Sequence, residues 1–252
     1  MDTFDLYKDI QCRTNGEIYL GVVGPVRSGK STFIKRFMDV LVLPKMTDEH
    51  AKERTVDELP QSASGKSIMT TEPKFVPKEA AEIQLAKDVS VLVRLIDCVG
   101  YMVEGAAGHM ENGAERLVKT PWNEKEIPFT KAAEIGTKKV IHDHSTIGIV
   151  VTTDGSIGEL PRNSYRAAEK KTIQELKSIG KPFVVLVNTR KPYSAEAKNV
   201  AEEIQKEYQV TALNEGGEST KSNTISATTT VLQIPVAYAA DNITSSSFRA
   251  RW

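Results

Sequence analysis

Residues 24–31 read GPVRSGKS, a complete G-x-x-x-x-G-K-[S/T] phosphate-binding loop that directly follows the apolar run 18–23. The glycines of such a loop let successive backbone N–H groups face the α- and β-phosphates of a nucleoside triphosphate. The lysine reaches the β- and γ-phosphates, the serine hydroxyl is a ligand for Mg²⁺, and the following helix directs its positive end at the same anion. We therefore expect a nucleotide and Mg²⁺ site that includes Gly24, Arg27, Ser28, Gly29, Lys30, Ser31 and Thr32.

The sequence around this loop predicts an α/β fold. Residues 17–24 have the pattern of a buried strand, residues 31–38 that of an amphipathic helix, and strand and helix patterns continue to alternate downstream. Such alternation favours a mostly parallel sheet with helices on both faces. The strand-like runs 80–86 and 89–98 are joined by only two residues, which is too short for a parallel crossover. We therefore expect one antiparallel edge strand.

Further elements follow from hydrophobic spacing and from helix-stop residues. The predicted helices are 130–144, 164–178 and 195–208, and the predicted strands are 147–153, 183–188 and 209–213. The polar stretch 47–66 and the glycine- and proline-bearing stretch 101–129 are expected to be long loops. Beyond residue 213 the composition shifts to Ser, Thr, Asn and Ala, so the predicted organisation is a P-loop domain at 1–213 and a flexible tail at 214–252.

Charge and cysteine content limit which partners and which cellular compartment are expected. Lys plus Arg number 33 and Asp plus Glu number 33, so no global field attracts nucleic acid, and no nucleic-acid partner is expected. Cys12 and Cys98 are too few for a disulfide framework, which favours a reducing compartment. No apolar stretch approaches the roughly 18 residues that span a bilayer, and the first residues lack the basic start of a signal peptide. We therefore expect a cytoplasmic protein.

A second phosphate-side motif begins at Asp97, which ends the strand pattern 91–97 and opens the D-x-x-G sequence at 97–100. In P-loop nucleotidases such an aspartate holds the water shell of Mg²⁺, and the glycine N–H approaches the γ-phosphate. We expect these roles for Asp97 and Gly100, although an aspartate that merely caps a strand has the same pattern.

Thr70 and Thr71 lie between the two motifs, where switch-type nucleotidases carry a threonine that senses Mg²⁺ and the γ-phosphate. Both are candidate catalytic and Mg²⁺ residues, and the sequence does not choose between them. An ordinary β-branched pair entering a strand before Pro73 remains the alternative.

The expected base-recognition motif is altered. Guanine-specific members of this architecture carry Asn-Lys-x-Asp after the corresponding strand, whereas residues 188–191 read NTRK. Asn188 is present, but Lys191 occupies the position of the acid and presents donors to the donor edge of guanine. Because unpaired buried polar groups cost about 1–3 kcal/mol each, adenine is favoured over guanine.

The attacking water has no obvious partner, because Tyr101 follows Gly100 where Ras-like enzymes have a glutamine. Slow turnover is expected. Glu104, a residue of a neighbouring molecule, or Arg27 as a neutraliser of transition-state charge are candidates, each with a solvated surface charge as the alternative. His142 and His144 stand at i and i+2, which do not face each other on a helix, so solvated histidines are favoured over a metal pair.

Four segments together resemble the stage IV sporulation protein A family of endospore-forming bacteria. They are residues 21–38, 57–77, 120–122 and 144–158, and the similarity extends over about residues 1–213. The resemblance implies a cytosolic ATPase derived from the translation-factor class of GTPases, with ATP and Mg²⁺ as its ligands. It places the phosphate lysine at Lys30, the strand-end aspartate at Asp97 and the sensor threonines at Thr70 and Thr71.

The same resemblance implies a partner and a location. Members polymerise with themselves on the forespore surface, in the mother cell, as the base layer of the spore coat. Their middle and C-terminal domains guide assembly with other coat proteins and docking to a small membrane-bound peptide. Residues 214–252 do not resemble this continuation, so those contacts are expected of the full-length family rather than of this chain. A ribosome-associated GTPase switch and a coat module that binds nucleotide without turnover are the alternative functions.

Overall fold

Alternating strands and helices make up the computed structural model, which describes residues 17–46, 48–60, 72–86, 89–111 and 113–216. The strands are β1 (Glu17–Val23), β2 (Lys74–Ala86), β3 (Val89–Asp97), β4 (Met110–Glu111), β5 (Ala114–Glu115), β6 (Leu117–Thr120), β7 (Asn123–Pro128), β8 (Ile147–Thr153), β9 (Phe183–Thr189) and β10 (Ala212–Gly216). The helices are α1 (Lys30–Phe37), α2 (Glu49–Glu58), α3 (Phe129–Lys139), α4 (Arg162–Ser178) and α5 (Ala195–Tyr208). Short π-helical turns at Met38–Val42 and Val140–His144 extend α1 and α3.

The main sheet of the described residues has six strands in the order β10-β9-β8-β1-β3-β2. All neighbouring pairs are parallel except β2 and β3, which form the predicted antiparallel hairpin. The carboxyl ends of the parallel strands therefore meet at one edge of the sheet, and in α/β sheets that edge is where ligands bind. The predicted fold class, a P-loop α/β fold with a mostly parallel sheet and one antiparallel edge strand, is confirmed.

Two apolar clusters pack on opposite faces of this sheet. On one face, Phe33 and Phe37 of α1 pack with Leu20 and Leu95 of the strands. On the other, α4 and α5 contribute Ile173 and Ile204. β8 is buried along its whole length, as a central strand covered on both faces must be.

The prediction of a loop over 47–66 is wrong for residues 49–58, which form α2. Asp48 begins this helix, because its side chain accepts hydrogen bonds from the N–H groups of His50 at 2.9 Å and Ala51 at 3.2 Å. Only Thr55 of the helix is buried, so no apolar stripe marks it in the sequence. Residues 47 and 61–66 lie outside the described part of the chain.

The prediction of one extended loop over 101–129 is wrong from residue 110 onward, where short strands occur. β4 pairs with β5 and β6 with β7, both antiparallel, and Arg116 stacks over the ring of Phe129 at 4.6 Å. These strands are short and largely exposed, so they lack the alternation that predicts a strand.

The last strand begins later than the prediction of 209–213. Gln209 adopts a left-handed conformation with φ of 53°, which ends α5, and β10 begins only at Ala212. Residues 214–216 of the predicted tail belong to β10, and residues 217–252 lie outside the described residues. No helix in the described ranges is long and apolar enough to cross a membrane.

Candidate functional site

The loop between β1 and α1 depends on left-handed backbone at three positions: φ is 130° at Gly24, 60° at Arg27 and 96° at Gly29. A Cβ atom at Gly24 would stand 2.4 Å from the carbonyl oxygen of Val151, and one at Gly29 would stand 2.1 Å from Nδ2 of Asn188. Glycine is therefore required at both positions. Arg27 accepts this conformation as a non-glycine residue, which is typical of strained functional loops.

Lys30 and Ser28 place buried polar groups within this loop. Lys30 is only 5% exposed, and its Nζ donates a 2.5 Å hydrogen bond to the carbonyl oxygen of Pro25. Burial lowers the pKa of the Lys30 ammonium. The Ser28 hydroxyl is buried and has no hydrogen-bond partner among the described residues. A bound anion would supply the counter-charge and the hydrogen-bond partner that these groups require.

Ser31 and Asp97 form the second part of the site, because the parallel pairing of β1 with β3 sets Asp97 beside Val22, next to the loop. The Ser31 hydroxyl donates to Oδ2 of Asp97 at 2.8 Å. The other carboxylate oxygen, Oδ1, is buried without a hydrogen-bond partner among the described residues. Burial raises the pKa of Asp97, against the opposing effects of the Ser31 hydrogen bond and the Lys30 charge.

This pair fits Mg²⁺. A serine hydroxyl and an aspartate carboxylate are the hard oxygen groups that Mg²⁺ binds, directly or through water. Oδ1 accepts no hydrogen bond from the described residues, and a water molecule bound to the ion would donate one to it.

The segment after β3 lies directly against the phosphate loop. Gly100 has φ of 93°, and a Cβ atom there would stand 2.1 Å from the carbonyl oxygen of Gly24 and 2.7 Å from Nζ of Lys30. Tyr101 N–H donates to Gly24 at 3.2 Å, and Val26 N–H donates to the Tyr101 carbonyl at 2.8 Å. Gly100 is thus held beside the phosphate lysine.

The third side of the site is formed by the carboxyl end of β9. Asn188 donates from Nδ2 to the carbonyl oxygen of Ser28 at 3.2 Å and so braces the phosphate loop. Lys191 is exposed, and its backbone N–H donates to Oγ1 of Thr189 at 3.1 Å.

Sequence reasoning missed a polar cluster at this end of the sheet. The Asp154 carboxylate accepts hydrogen bonds from the hydroxyls of Thr189 at 2.5 Å and Ser156 at 2.6 Å. Ser156 in turn accepts from the N–H of Arg190 at 2.9 Å. The cluster fixes the turn that follows β9. The polar run TTDGS at residues 152–156, which spans the end of β8, is the signal that would have indicated it.

The structure brings together most of the predicted site residues: Gly24, Ser28, Gly29, Lys30, Ser31, Asp97, Gly100 and Asn188, with Thr32 in the first turn of α1. Arg27 is exposed and donates from Nη2 to the carbonyl oxygen of Ala107 at 3.2 Å, which ties the loop to the segment between β3 and β4. Thr70 and Thr71 lie outside the described residues.

The two histidines contact different residues. His142 contacts Glu175 at 2.8 Å, and the ring of His144 stacks edge-on against Phe75 at 5.7 Å. In the described part of the chain, no group of three or more His, Cys, Asp or Glu residues is arranged to hold a metal ion.

Comparisons with known sequences agree on one family. Residues 1–234 match the family described as "Stage IV sporulation protein A, ATPase domain". The chain is 57% identical over 209 residues to stage IV sporulation protein A of Clostridioides difficile, a match that covers 83% of this chain and 43% of that protein. It is 50% identical over 225 residues to the Bacillus subtilis protein of the same name, covering 89% and 46%. The chain therefore spans less than half the length of these relatives.

Among solved structures, Era in complex with MgGDPNP and nucleotides 1506–1542 of 16S ribosomal RNA is similar, with 13% identity and a TM-score of 0.47. That match covers 87% of this chain and 56% of Era. The family match over residues 1–234 and the identities to the two sporulation proteins are far stronger. This chain belongs to the stage IV sporulation protein A family and corresponds to its ATPase domain.

Proposed function

We propose that this chain is a slow, Mg²⁺-dependent ATPase whose nucleotide cycle drives self-assembly of the base layer of the spore coat on the forespore surface. The observation that carries the enzymatic part is the 2.8 Å contact between Ser31 and Asp97 beside the buried Lys30. The family match supports the sporulation role.

In this proposal the loop residues bind and orient the triphosphate. The backbone N–H groups of the loop and the Lys30 ammonium bind the phosphates, and the Gly100 N–H is proposed to stabilise charge that develops on the γ-phosphate. Ser31 and Asp97 hold Mg²⁺, which neutralises phosphate charge when bound. Thr70 and Thr71 sense the γ-phosphate and Mg²⁺. In this proposal these residues act by positioning and by electrostatics. The loops that contact the nucleotide change with its state, and this change alters the surface of the protein.

ATP is proposed as the substrate because of the residues that follow β9. The side chain of Lys191 is exposed at the position where guanine-specific relatives have an acid. A lysine offers donors to the guanine N–H groups, which would stay unpaired.

The partners and location proposed for the activity are those of the family. The chain is proposed to assemble with itself in the mother-cell cytoplasm at the forespore outer surface. Other coat proteins and a small membrane-bound peptide are proposed as partners of the full-length family.

Parallel measurements of phosphate release from ATP and from GTP test the proposal, with Lys30→Ala as the variant that loses triphosphate binding. Mg²⁺-dependent release from ATP, absent in Lys30→Ala, is expected. Light scattering with and without ATP then tests assembly, and an increase that requires both ATP and Lys30 is expected. Release from GTP alone would instead support a GTPase switch that acts on the ribosome.

A second candidate function is a coat module that binds nucleotide without turning it over. It is favoured by Tyr101, whose side chain is only 4% exposed and packs into the apolar interior, so it does not orient a water. Tight ATP binding without phosphate release, in the same experiment, would support this candidate over the first.

A further inference from the structure

Tyr101 joins the phosphate loop to the helices behind it. Its backbone pairs with the loop in both directions, through Tyr101 N–H to Gly24 at 3.2 Å and Val26 N–H to Tyr101 at 2.8 Å. This short parallel bridge aligns Tyr101 with Pro25, whose carbonyl oxygen accepts the Lys30 hydrogen bond. A shift of Tyr101 would therefore move both Gly100 and the loop that holds the lysine.

The side chain of Tyr101 is anchored between two helices. It belongs to the apolar cluster to which α4, α5 and the turn Val140–His144 after α3 contribute, and Nζ of Lys171 in α4 lies 4.6 Å from the centre of its ring. Lys171 also forms a 2.9 Å ion pair with Glu134 of α3. The cation over the ring and the ion pair together fix the tyrosine at the junction of α3 and α4.

The anchoring contacts are made by the aromatic ring of Tyr101 and not by its hydroxyl. The Tyr101 hydroxyl is buried and has no hydrogen-bond partner among the described residues. A hydroxyl in this environment neither orients water nor reaches phosphate, so Tyr101 has no direct chemical role.

We infer that Tyr101 is a positioning residue for hydrolysis, whose ring, held between α3 and α4 under Lys171, fixes Gly100 N–H relative to Lys30. This inference rests on the proposed ATPase function. It explains how a tyrosine occupies the position after D-x-x-G without taking part in the chemistry. It also means that α3 and α4 influence the position of Gly100 through the ion pair between Lys171 and Glu134.

Two substitutions at Tyr101 test the inference. Tyr101→Phe keeps the ring and removes the unpaired hydroxyl, so kcat for ATP should stay within about twofold of wild type. Tyr101→Ala removes the anchor, so kcat should fall about tenfold or more and by a larger factor than KM or the affinity for ADP changes, because small misplacements of a positioned group mainly slow the chemical step. Equal losses in the two variants, or no loss in either, would overturn the inference.

Lys171→Met tests the anchor without opening the interior, since methionine keeps the apolar stem and removes the cation. Lys170→Met, at the exposed neighbouring position on α4, is the matched control. We expect kcat to fall several-fold in the first variant and to stay unchanged in the second. Identical kcat values in both would contradict the role of Lys171 and Tyr101.

Amide hydrogen exchange separates this inference from the proposed function, because it requires no turnover. The peptide that contains Val26 should exchange faster in Tyr101→Ala and in Lys171→Met than in wild type or Tyr101→Phe. If wild type releases no phosphate, the proposed function fails, and faster exchange in those two variants still supports the anchor. Unchanged exchange at Val26 in all variants would remove the anchor whatever the phosphate assay shows.

Discussion

The hydroxyl of Ser31 donates a hydrogen bond of 2.8 Å to Oδ2 of Asp97, although 66 positions separate the two residues. The parallel pairing of β1 with β3 brings them together, and Oδ1 of the same carboxylate is left without a hydrogen-bond partner among the described residues. A buried carboxylate in this state is costly unless a cation joins it. The pair is therefore arranged for binding at the expense of stability.

Asp97→Asn should stabilise the protein in the absence of Mg²⁺ and nucleotide. Burial raises the pKa of Asp97, so the ionised form is disfavoured in the folded state, and a neutral amide removes that penalty. With the folded pKa above the unfolded one, the penalty grows as pH rises through the two values, so the gain is expected at neutral pH. The urea midpoint without Mg²⁺ should exceed that of wild type.

The same variant should lose function. Phosphate release is expected to fall by about a hundredfold, because the charge that holds Mg²⁺ is absent. Added Mg²⁺ and ATP should raise the urea midpoint of wild type much more than that of Asp97→Asn. A variant that is less stable than wild type without Mg²⁺, yet still stabilised by it, would contradict this account.

Asn188→Ala should weaken the binding of ATP and ADP equally. The Asn188 amide satisfies the carbonyl of Ser28 at 3.2 Å, and without it that carbonyl is buried and unpaired. A loss of about tenfold in affinity is expected from one such group. Asn214→Ala is the matched control, because its Nδ2 also donates to a backbone carbonyl, that of Pro192 at 3.4 Å, away from the loop. Equal affinity losses in the two variants would mean that neither acts through the loop.

Lys191→Asp should shift the base preference towards guanine. The side chain is exposed, and the turn uses the backbone of Lys191, whose N–H donates to Thr189 and whose carbonyl accepts from Ser194, so the substitution should not disturb the fold. An aspartate there accepts from the guanine N–H groups, and the ratio of kcat/KM for GTP to that for ATP should rise about tenfold or more. Lys191→Ala removes the cation without adding an acceptor and should shift the ratio much less. An unchanged ratio in Lys191→Asp would show that base choice is made elsewhere.

Local sequence was sufficient to predict the phosphate loop and the position of Asp97. The conformation of the loop is dictated by its own glycines, and Asp97 ends a strand with a recognisable sequence pattern. Local sequence was insufficient to predict the contact between Asp154, which follows β8, and Thr189, which ends β9, since only the parallel pairing of these two strands brings the residues together. α2 escaped prediction because only Asp48, its capping residue, marks it in the sequence, while its one buried residue is Thr55.

Glu215 makes stability depend on pH. It lies in β10 opposite Asn188, is 3% exposed, and neither carboxylate oxygen has a hydrogen-bond partner among the described residues. Burial raises its pKa from 4.5 to about 7, against an opposing effect of Arg36. The folded state thus keeps a proton that the unfolded chain releases between these values. The free energy of unfolding therefore falls as pH rises through this window, and the penalty is complete above it.

Glu215→Gln should remove this dependence, since glutamine imitates the protonated acid. The variant and wild type should have similar urea midpoints near pH 4.5, and the variant should be more stable at pH 8, by up to about 3 kcal/mol for a shift of this size. Glu202→Gln, at an exposed position on α5, is the control and should leave the pH profile of wild type unchanged. Because acid unfolding acts on both proteins alike, the measured quantity is the difference between them at each pH. A difference that stays constant from pH 5 to pH 8 would mean that Glu215 is already ionised at the lower value and is stabilised in the fold by Arg36.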